Sequence, residues 1–408
     1  MRKFCHALAG AALSSLAFFN LSGTTKADNT ITVNASPAAL GTVTGGGTFP
    51  TGSTRTVTAT PKPTSKFLRW DEDSFRVSGK RRYTFTLDAD RVLTAMFKPR
   101  KPKNDLVVDR GAQGLWKLLN ETTWKRVHTG NPTAIAAADL TGDGKEEIIF
   151  GLTSPAGTFV NTTAVANRIH PNPATRIVVG DFDADGKDDL VATFQGQAGT
   201  FGRFGSGGGF FPIATVTSQG LAVGDIDGDG FLDIISRRGT GLFTCYRFQA
   251  PWMNLNFTGG VHVAAGDVNG DGQADLITGR ASGGASQIGV WRSMDNGMTW
   301  TRINNNNPSV LAIGDADNNA TDGVFASFPT GLWTSPNGNT NWVRIDTSTP
   351  TAIAVADFDN NGKDDIVGIF PPGTNLEVRM NNAGAFKTML APPGPQIVPQ
   401  NVIGAALD

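Results

Sequence analysis

The sequence contains little cysteine. Its two copies are Cys5 and Cys245, and Cys5 falls in a segment that we predict is cleaved off. The mature protein then has a single cysteine and cannot form an intramolecular disulfide. Its stability must therefore come from other contacts.

Residues suited to catalysis are also scarce. The chain has two tyrosines and four histidines, and the histidines are scattered at positions 6, 128, 170 and 262. Tyr83 belongs to an N-terminal β-rich region, and Tyr246 falls in a predicted strand where we expect it to pack in the core. Because no nucleophile or acid–base set presents itself, we expect a protein that is not an enzyme.

Long apolar runs are missing apart from "ALAGAALSSLAFF" near the N-terminus. This run is too short to cross a bilayer, it follows Arg2 and Lys3, and it precedes small residues at Thr25 and Ala27. We predict a secretory signal peptide at residues 1–27, no membrane span, and a secreted or cell-surface protein.

Charge is sparse and unevenly distributed. Residues 28–104 hold 13 Lys/Arg and 6 Asp/Glu, whereas residues 105–408 hold 19 and 30. This asymmetry indicates two domains with different roles, and we expect no nucleic-acid partner. The 50 glycines indicate many tight turns and hence many short strands.

The region 28–98 alternates apolar and polar residues between turn signals, which is typical of strands. The segments "ITVNASP", "GTVTGGGTFPTGSTRTVTATP", "FLRW" and "RVLTAMF" resemble, in this order, the bacterial surface repeat related to internalin B-repeats. The resemblance implies a small β-domain of a secreted or surface protein. Its basic cluster, Lys80 to Arg82, is expected to be a solvated hairpin end, with binding of an acidic polysaccharide or lipid head group as the alternative. Residues 99–104 are predicted to be a stiff linker.

Six copies of one pattern follow, each an apolar strand, an acidic loop and a second apolar strand. Their first acids lie 42, 44, 42, 48 and 42 residues apart, at Asp139, Asp181, Asp225, Asp267, Asp315 and Asp357. A third strand that opens with glycine and an aromatic residue follows each pair. This period with about four strands per unit predicts a β-propeller.

The two ends of this region complement each other. "NDLVVDRGAQGLW" from Asn104 matches the second half of a unit, and "NVIGAALD" at 401–408 matches the first half, with Asp408 at the first-acid position. Joined, they make a seventh unit and remove exposed sheet edges. We therefore predict an all-β protein in which residues 105–408 form a seven-bladed β-propeller.

The acidic loops are predicted calcium sites, because oxygens at every second position of a tight loop can converge on one hard cation. A helix–loop–helix calcium loop is excluded, since its twelfth position requires Glu and here holds Ala192 or Ser236. Five loops carry the pattern, with the fourth ligand in each case a backbone carbonyl. The predicted ligands are Asp139, Thr141, Asp143, Lys145 and Glu147; Asp181, Asp183, Asp185, Lys187 and Asp189; Asp225, Asp227, Asp229, Phe231 and Asp233; Asp267, Asn269, Asp271, Gln273 and Asp275; and Asp357, Asp359, Asn361, Lys363 and Asp365.

The sixth loop departs from the pattern. It has Ala320 where the others have glycine and Gly323 in place of the closing acid, with Asp322 displaced by one position. We expect it to bind calcium weakly or not at all.

These repeats resemble the FG-GAP/VCBS family, known from the calcium-binding head of integrin α-subunits, and the half-units at the ends also resemble seven-bladed fungal lectins of integrin-like fold. The resemblance implies a calcium-binding adhesion or binding module. "SMDNGMTW" at 293–300 fits the Asp-box, a hairpin-stabilising motif. We expect a monomer that binds a glycan or a surface protein, with Trp252, Arg237 and Arg238 as candidate contacts. The alternatives are a polysaccharide lyase or glycosidase, or a purely structural surface scaffold.

Overall fold

The computed structural model describes residues 28–62, 65–73, 75–99, 105–119, 123–143, 145–161, 166–205, 207–239, 241–281, 283–316, 321–358, 363–370, 376–380, 383–389 and 401–405. The predicted signal peptide, linker residues 100–104 and Asp408 lie outside these ranges. The regular structure in the described part is almost entirely β-strand, with one 3₁₀ turn at Gly111–Gln113, so the all-β prediction is confirmed.

Residues 28–99 form eight strands in two sheets, of order β3-β1-β8-β5-β6 and β2-β4-β7. The alternating strands turn one face inward, onto a core around the fully buried Trp70, Leu87 and Leu93. The strands are β1 (Asp28–Ser36), β2 (Gly41–Thr44), β3 (Gly47–Pro50), β4 (Ser53–Pro61), β5 (Ser65–Glu72), β6 (Phe75–Ser78), β7 (Arg82–Leu87) and β8 (Arg91–Pro99).

The described residues from 105 onward form seven four-stranded antiparallel sheets. Six consist of consecutive strands: β12 (Pro132–Ala138), β13 (Glu147–Thr153), β14 (Ala156–Asn161), β15 (Ala166–His170); β16 (Ala174–Gly180), β17 (Asp189–Phe194), β18 (Gln197–Arg203), β19 (Phe211–Ala214); β20 (Gly220–Gly224), β21 (Asp233–Arg238), β22 (Gly241–Tyr246), β23 (Gln249–Thr258); β24 (Gly260–Gly266), β25 (Asp275–Arg280), β26 (Gly289–Ser293), β27 (Thr301–Asn304); β28 (Val310–Gly314), β29 (Gly323–Phe328), β30 (Gly331–Ser335), β31 (Val343–Asp346); and β32 (Ala352–Ala356), β33 (Asp365–Ile369), β34 (Leu376–Arg379), β35 (Lys387–Thr388).

The remaining sheet joins the two ends of this region. Its order is β11-β10-β9-β36, where the strands are β9 (Asp105–Asp109), β10 (Leu115–Leu119), β11 (Thr123–His128) and β36 (Asn401–Ala405). Strand β36 pairs antiparallel with β9, from Asn401 opposite Asp109 to Ala405 opposite Asp105.

The first strands of the sheets lie side by side around a ring. Strand β12 contacts β16, and β20, β24, β28, β32 and β36 follow in turn until β36 contacts β12 again. Second strands such as β17 and β29 are buried along their whole length because neighbouring sheets cover both faces. Their continuous apolar runs follow from this burial.

Steric crowding explains why glycine stands at the start of third strands such as β26 and β30. Gly289 and Gly331 have φ values of 143° and 126°. A Cβ atom at either position would clash with a carbonyl oxygen of the adjoining fourth strand, that of Asn304 or of Asp346. A larger residue would therefore push the third and fourth strands apart.

Candidate metal loops and the basic turn beside them

Each acidic loop connects the first and second strands of its sheet, so all five predicted loops lie at the same end of the ring. Neighbouring loops touch: the Asp188 N–H donates to the Asp139 carbonyl at 2.8 Å, and the Ala274 N–H donates to the Asp225 carbonyl at 2.8 Å. The predicted ligands therefore form a chain of adjacent sites along this end.

The closing acid has the same environment in every loop. Its carboxylate accepts a bond from the N–H of the loop's second residue, at 2.9–3.0 Å, while the side chain is buried at the start of the second strand. The pairs are Leu140–Glu147, Phe182–Asp189, Ile226–Asp233, Val268–Asp275 and Phe358–Asp365. The other carboxylate oxygen differs among the loops: that of Asp189 accepts the Gly205 N–H at 2.7 Å, whereas that of Asp233 is buried without a hydrogen-bond partner.

The first acid is held by the glycine at the sixth loop position. Gly186, Gly230 and Gly272 have φ near 90° and donate their N–H groups to the first acid at 3.1, 2.9 and 2.7 Å. This left-handed conformation favours glycine, which explains why the motif requires it. The glycine at the fourth position also donates to the first acid, from Gly142 to Asp139 at 2.8 Å and from Gly270 to Asp267 at 2.6 Å.

The intermediate positions cap successive backbone N–H groups. In the second loop the Asp183 carboxylate accepts from the Asp185 N–H and that of Asp185 from the Lys187 N–H, at 3.1 and 2.8 Å. Asp227 and Asp229, and Asn269 and Asp271, repeat this pattern. Side chains at alternate positions therefore fold back onto the backbone of their own loop.

Two loops bring three carboxylates together. Oxygens of Asp181, Asp183 and Asp189 lie within 4.8 Å of one another, and so do those of Asp225, Asp227 and Asp229. Asp225 Oδ1 and Asp233 Oδ1 are buried without a hydrogen-bond partner. Converging hard oxygens, two of them with unsatisfied lone pairs, fit a Ca²⁺ ion.

Three of the closing acids are buried beside other carboxylates, which raises their pKa values. Burial, reinforced by repulsion from Asp227, raises the pKa of Asp233 to about 8. Burial likewise raises the pKa of Asp189 to about 7 and, with repulsion from Asp271, that of Asp275 to about 7. A bound cation would remove this cost of holding like charges together.

The first and fifth loops are described only in part, so fewer contacts of their predicted ligands can be given. Thr141, Asp143 and Lys145 lie in the turn after Asp139, where the Lys145 N–H donates to Asp143 at 2.7 Å. Asp357 and Lys363 flank the fifth loop, but Asp359 and Asn361 lie outside the described residues. The sixth loop is described only at its two ends.

The sequence analysis did not identify a second set of acids, which connects neighbouring loops. The Asp188, Asp322 and Asp364 carboxylates each accept the N–H of the first acid of the preceding loop, Asp139, Asp267 or Asp315, at 2.8–2.9 Å. Asp322 is therefore not a displaced closing acid, because it joins adjacent sheets as Asp188 and Asp364 do. In the sequence, these acids are marked by the pairs of adjacent aspartates at 188–189 and 364–365, in which the first aspartate contacts the preceding loop and the second closes its own loop.

The basic cluster of the N-terminal region is not a purely solvated hairpin end. Its turn contacts two acidic loops: a Cβ at Gly230 would lie 3.0 Å from Ser78 Cα, and one at Gly228 would lie 2.7 Å from Lys80 Nζ. The Lys80 side chain also runs past Gly272, and its charge opposes the rise in the pKa of Asp225. Lys80 is half-buried here, whereas Arg82 is exposed.

A second cation of the chain reaches the same loop. The Arg247 guanidinium forms an ion pair with Asp229 and lies 3.9 Å from the centre of the Phe231 ring. The loop at 225–233 therefore has Lys80 beside its first acid and Arg247 beside its fifth-position acid.

The other sequence motifs have structural roles. In the Asp-box, the Ser293 hydroxyl donates to Asp295 at 2.8 Å and accepts the Gly297 N–H at 2.9 Å, which fixes the turn before β27. Arg238 stacks on Trp252 at 3.6 Å from the ring centre, while the Trp252 Nε1–H donates to the Ile213 carbonyl. Tyr246 is half-buried, and burial raises the pKa of its hydroxyl.

Comparison with known families supports both resemblances. Residues 30–101 match the divergent InlB B-repeat domain, and residues 259–291 match the FG-GAP repeat. Both are typical of extracellular proteins. No curated protein sequence matches the chain. Among the described residues, no helix is long and apolar enough to span a membrane.

Several solved structures share parts of this architecture at low identity. They include a lectin from Agrocybe aegerita that recognises non-reducing terminal N-acetylglucosamine (18% identity, 71% of this chain and 91% of that chain, TM-score 0.49). A chain of a nidogen/laminin complex (12%, 74% and 98%, 0.42) and a streptogramin B lyase (11%, 74% and 95%, 0.48) are also similar. With TM-scores below 0.5, these likenesses do not establish what this chain binds.

Proposed function

We propose that the chain is a secreted or surface-exposed, seven-bladed β-propeller that binds calcium in about five loops and serves as a non-catalytic binding module. The observation that carries the proposal is the recurrence of one loop geometry, with a buried closing acid and a glycine-held first acid, in sheet after sheet. Such loops stabilise the link between the first two strands of each blade.

Calcium is proposed as a structural ion. The donors are carboxylate, amide and carbonyl oxygens, which Ca²⁺ prefers, and the mature chain has no disulfide to perform the same role. Extracellular calcium modules bind with dissociation constants of about 10⁻⁴–10⁻³ M, which suits an extracellular location.

The binding role is proposed for a glycan or a surface protein. The rigid ring leaves its loops and ends free to present side chains, which is how such scaffolds carry function. A polysaccharide lyase or glycosidase is the second candidate, but Tyr246 packs against the buried cluster around Ile226 and Leu242, which favours a packing role for this tyrosine.

A glycan array probed with and without chelator tests this function. We expect calcium-dependent retention of one class of sugar and no change in the glycan itself. Turnover of a polysaccharide would replace the proposal with the enzymatic alternative. Absence of retention, with a surface protein captured instead, would assign the binding role to protein recognition.

Lys80 is expected to weaken calcium binding to the adjacent loops, because its ammonium group lies beside Gly228 and next to Asp225. Removing this charge in Lys80→Met should tighten the calcium-binding step of the 225–233 loop by about 5- to 10-fold, as a neighbouring unit charge contributes on the order of 1 kcal/mol. Calorimetric calcium titration measures this step.

The matched control is Arg82→Met, which removes an exposed charge two residues away. We expect it to leave the titration unchanged. Equal effects of the two variants would mean that net charge, and not the position of Lys80, governs calcium affinity.

A further inference from the structure

A cavity of about 470 Å³ lies along the axis of the ring, at the end opposite the acidic loops. It is lined by residues from five of the first strands, β12, β16, β20, β24 and β28, and by the end of β21. Its volume falls within the range of about 300–1,000 Å³ typical of small-molecule sites.

The charges of this cavity are all of one sign. Arg176 and Arg237 contribute guanidinium groups, His262 contributes an imidazole, and no carboxylate is among the lining residues. The chain from residue 105 onward is otherwise rich in acid, with 30 Asp/Glu against 19 Lys/Arg. A positively charged cavity in an otherwise acidic domain favours a binding role over a general solubilising role for these arginines.

The acidic loops do not neutralise these arginines. Arg176 lies near the start of β16, and Asp181 directly follows the end of this strand. The five residues between them correspond to about 16 Å at the rise of a β-strand. This distance is about twice the screening length at physiological ionic strength. The two charge clusters therefore act on ligands at opposite ends of the ring.

Arg237 is held in position before any ligand arrives. Its Nη1 donates to Gln219 Oε1 at 2.9 Å, and its Nη2 donates to the Gln219 carbonyl at 2.8 Å. Each terminal nitrogen carries two N–H groups, so Nη2 keeps one N–H for a ligand. Preorganisation of this kind reduces the entropy lost when a ligand binds.

Arg237 also lies close enough to Arg176 for repulsion. Burial and the charge of Arg176 lower the pKa of Arg237, and burial and the charge of Arg237 lower the pKa of His262 against an opposing hydrogen bond with the Pro308 backbone. Two guanidinium groups therefore line one cavity with no carboxylate among its lining residues. An anion between them would relieve the repulsion and accept charge-assisted hydrogen bonds.

The rest of the lining suits a ligand rich in hydroxyl groups. Thr133, Thr175 and Gln219 also line the cavity, and their side-chain oxygens can accept hydrogen bonds from sugar hydroxyls. We propose that this axial cavity binds the carboxylate or sulfate group of an acidic sugar. The inference rests on the proposed glycan-binding function and specifies its ligand as an acidic glycan.

Titration with three trisaccharides tests the proposal on the full chain with calcium present. The probes are a galacturonic acid trimer, its methyl ester and a sulfated galactose trimer. We expect the acidic trimer to bind at least about 10-fold more tightly than its ester, because the ester lacks the charge that pairs with arginine. Comparing the carboxylated and sulfated trimers identifies the preferred anion.

Arg176→Gln and Arg237→Gln should each weaken binding of the preferred anion by about 10-fold or more, since each removes one charge-assisted contact. Arg344→Gln is the matched control, because Arg344 is an exposed arginine on the outer strand β31. It should change nothing. Arg176 is exposed, so its variant is expected to fold normally and keeps the test valid if Arg237→Gln does not fold.

The possible results separate the two proposals. Equal binding of acid and ester, or equal effects of Arg176→Gln and Arg344→Gln, would overturn the cavity proposal. Binding of neutral glycans unaffected by either cavity variant would overturn it as well and leave the glycan-binding function standing. Absence of binding to every glycan would overturn both.

Discussion

Removing calcium is expected to lower the melting temperature by about 10 °C. At tenfold excess over the dissociation constant, one site adds about 1.4 kcal/mol, so five independent sites would add about 7 kcal/mol. For a domain of about 300 residues each kcal/mol corresponds to about 1.5 °C. Thermal unfolding in calcium and in chelator measures the difference.

The size of this effect should depend on pH. In the metal-free fold, burial raises the pKa values of Asp189 and Asp275 to about 7 and that of Asp233 to about 8, above the ordinary value of 3.8. Ionising these groups destabilises the metal-free fold progressively as pH rises from about 4 through their folded pKa values. Calcium binds the ionised form, so its stabilisation should be larger at pH 8 than at pH 5.5.

Magnesium at the same concentration is the control for ionic strength and divalent charge. It should restore little of the lost stability, because it requires tighter octahedral geometry and retains its waters. Identical melting curves in calcium and in chelator would rule out the role of these loops as structural calcium sites.

The second large effect is expected from truncation. A chain that ends at residue 400 lacks β36, which supplies five residues of pairing to β9 and contacts both β12 and β32. Loss of β36 opens the ring and uncovers the edge of β9, whose Leu106, Val107 and Val108 are almost fully buried. Each such side chain contributes about 1.5–3 kcal/mol on burial, so several kcal/mol should be lost.

A chain that ends at residue 405 is the matched control, because it keeps every paired residue of β36. It should melt as the full chain does, whereas the chain ending at 400 should melt at least about 5 °C lower or aggregate through its open edge. If both truncated chains melted within about 2 °C of the full chain, closure through β36 would contribute nothing to stability.

The features that the sequence predicted are local or periodic. The closing acids Asp189 and Asp233 lie eight residues after the first acid of the same loop, so their relation is visible in any single repeat. The pairing of β36 with β9 was also predictable, because each end holds the half of a repeat that the other lacks. This pairing follows from comparing several repeats and could not be predicted from one loop alone.

The features that the sequence did not predict join distant segments. Asp322 binds the N–H of Asp267, 55 residues earlier, and in sequence it resembles a misplaced ligand of its own loop. Lys80 reaches the loops at Gly228 and Gly272 from a separate region of the chain. Neither contact is visible within a single repeat, because the first joins one repeat to the next, as Asp188 and Asp364 also do, and the second joins two separate regions of the chain.

The number of calcium ions bound per chain tests the central claim most directly. Equilibrium dialysis against calcium at about 10 mM, well above dissociation constants of about 10⁻⁴–10⁻³ M, should give about five ions per chain. Asp233→Asn should remove one of them, since it weakens a single loop and leaves the others intact. Binding of no calcium, or an unchanged count in this variant, would contradict the account.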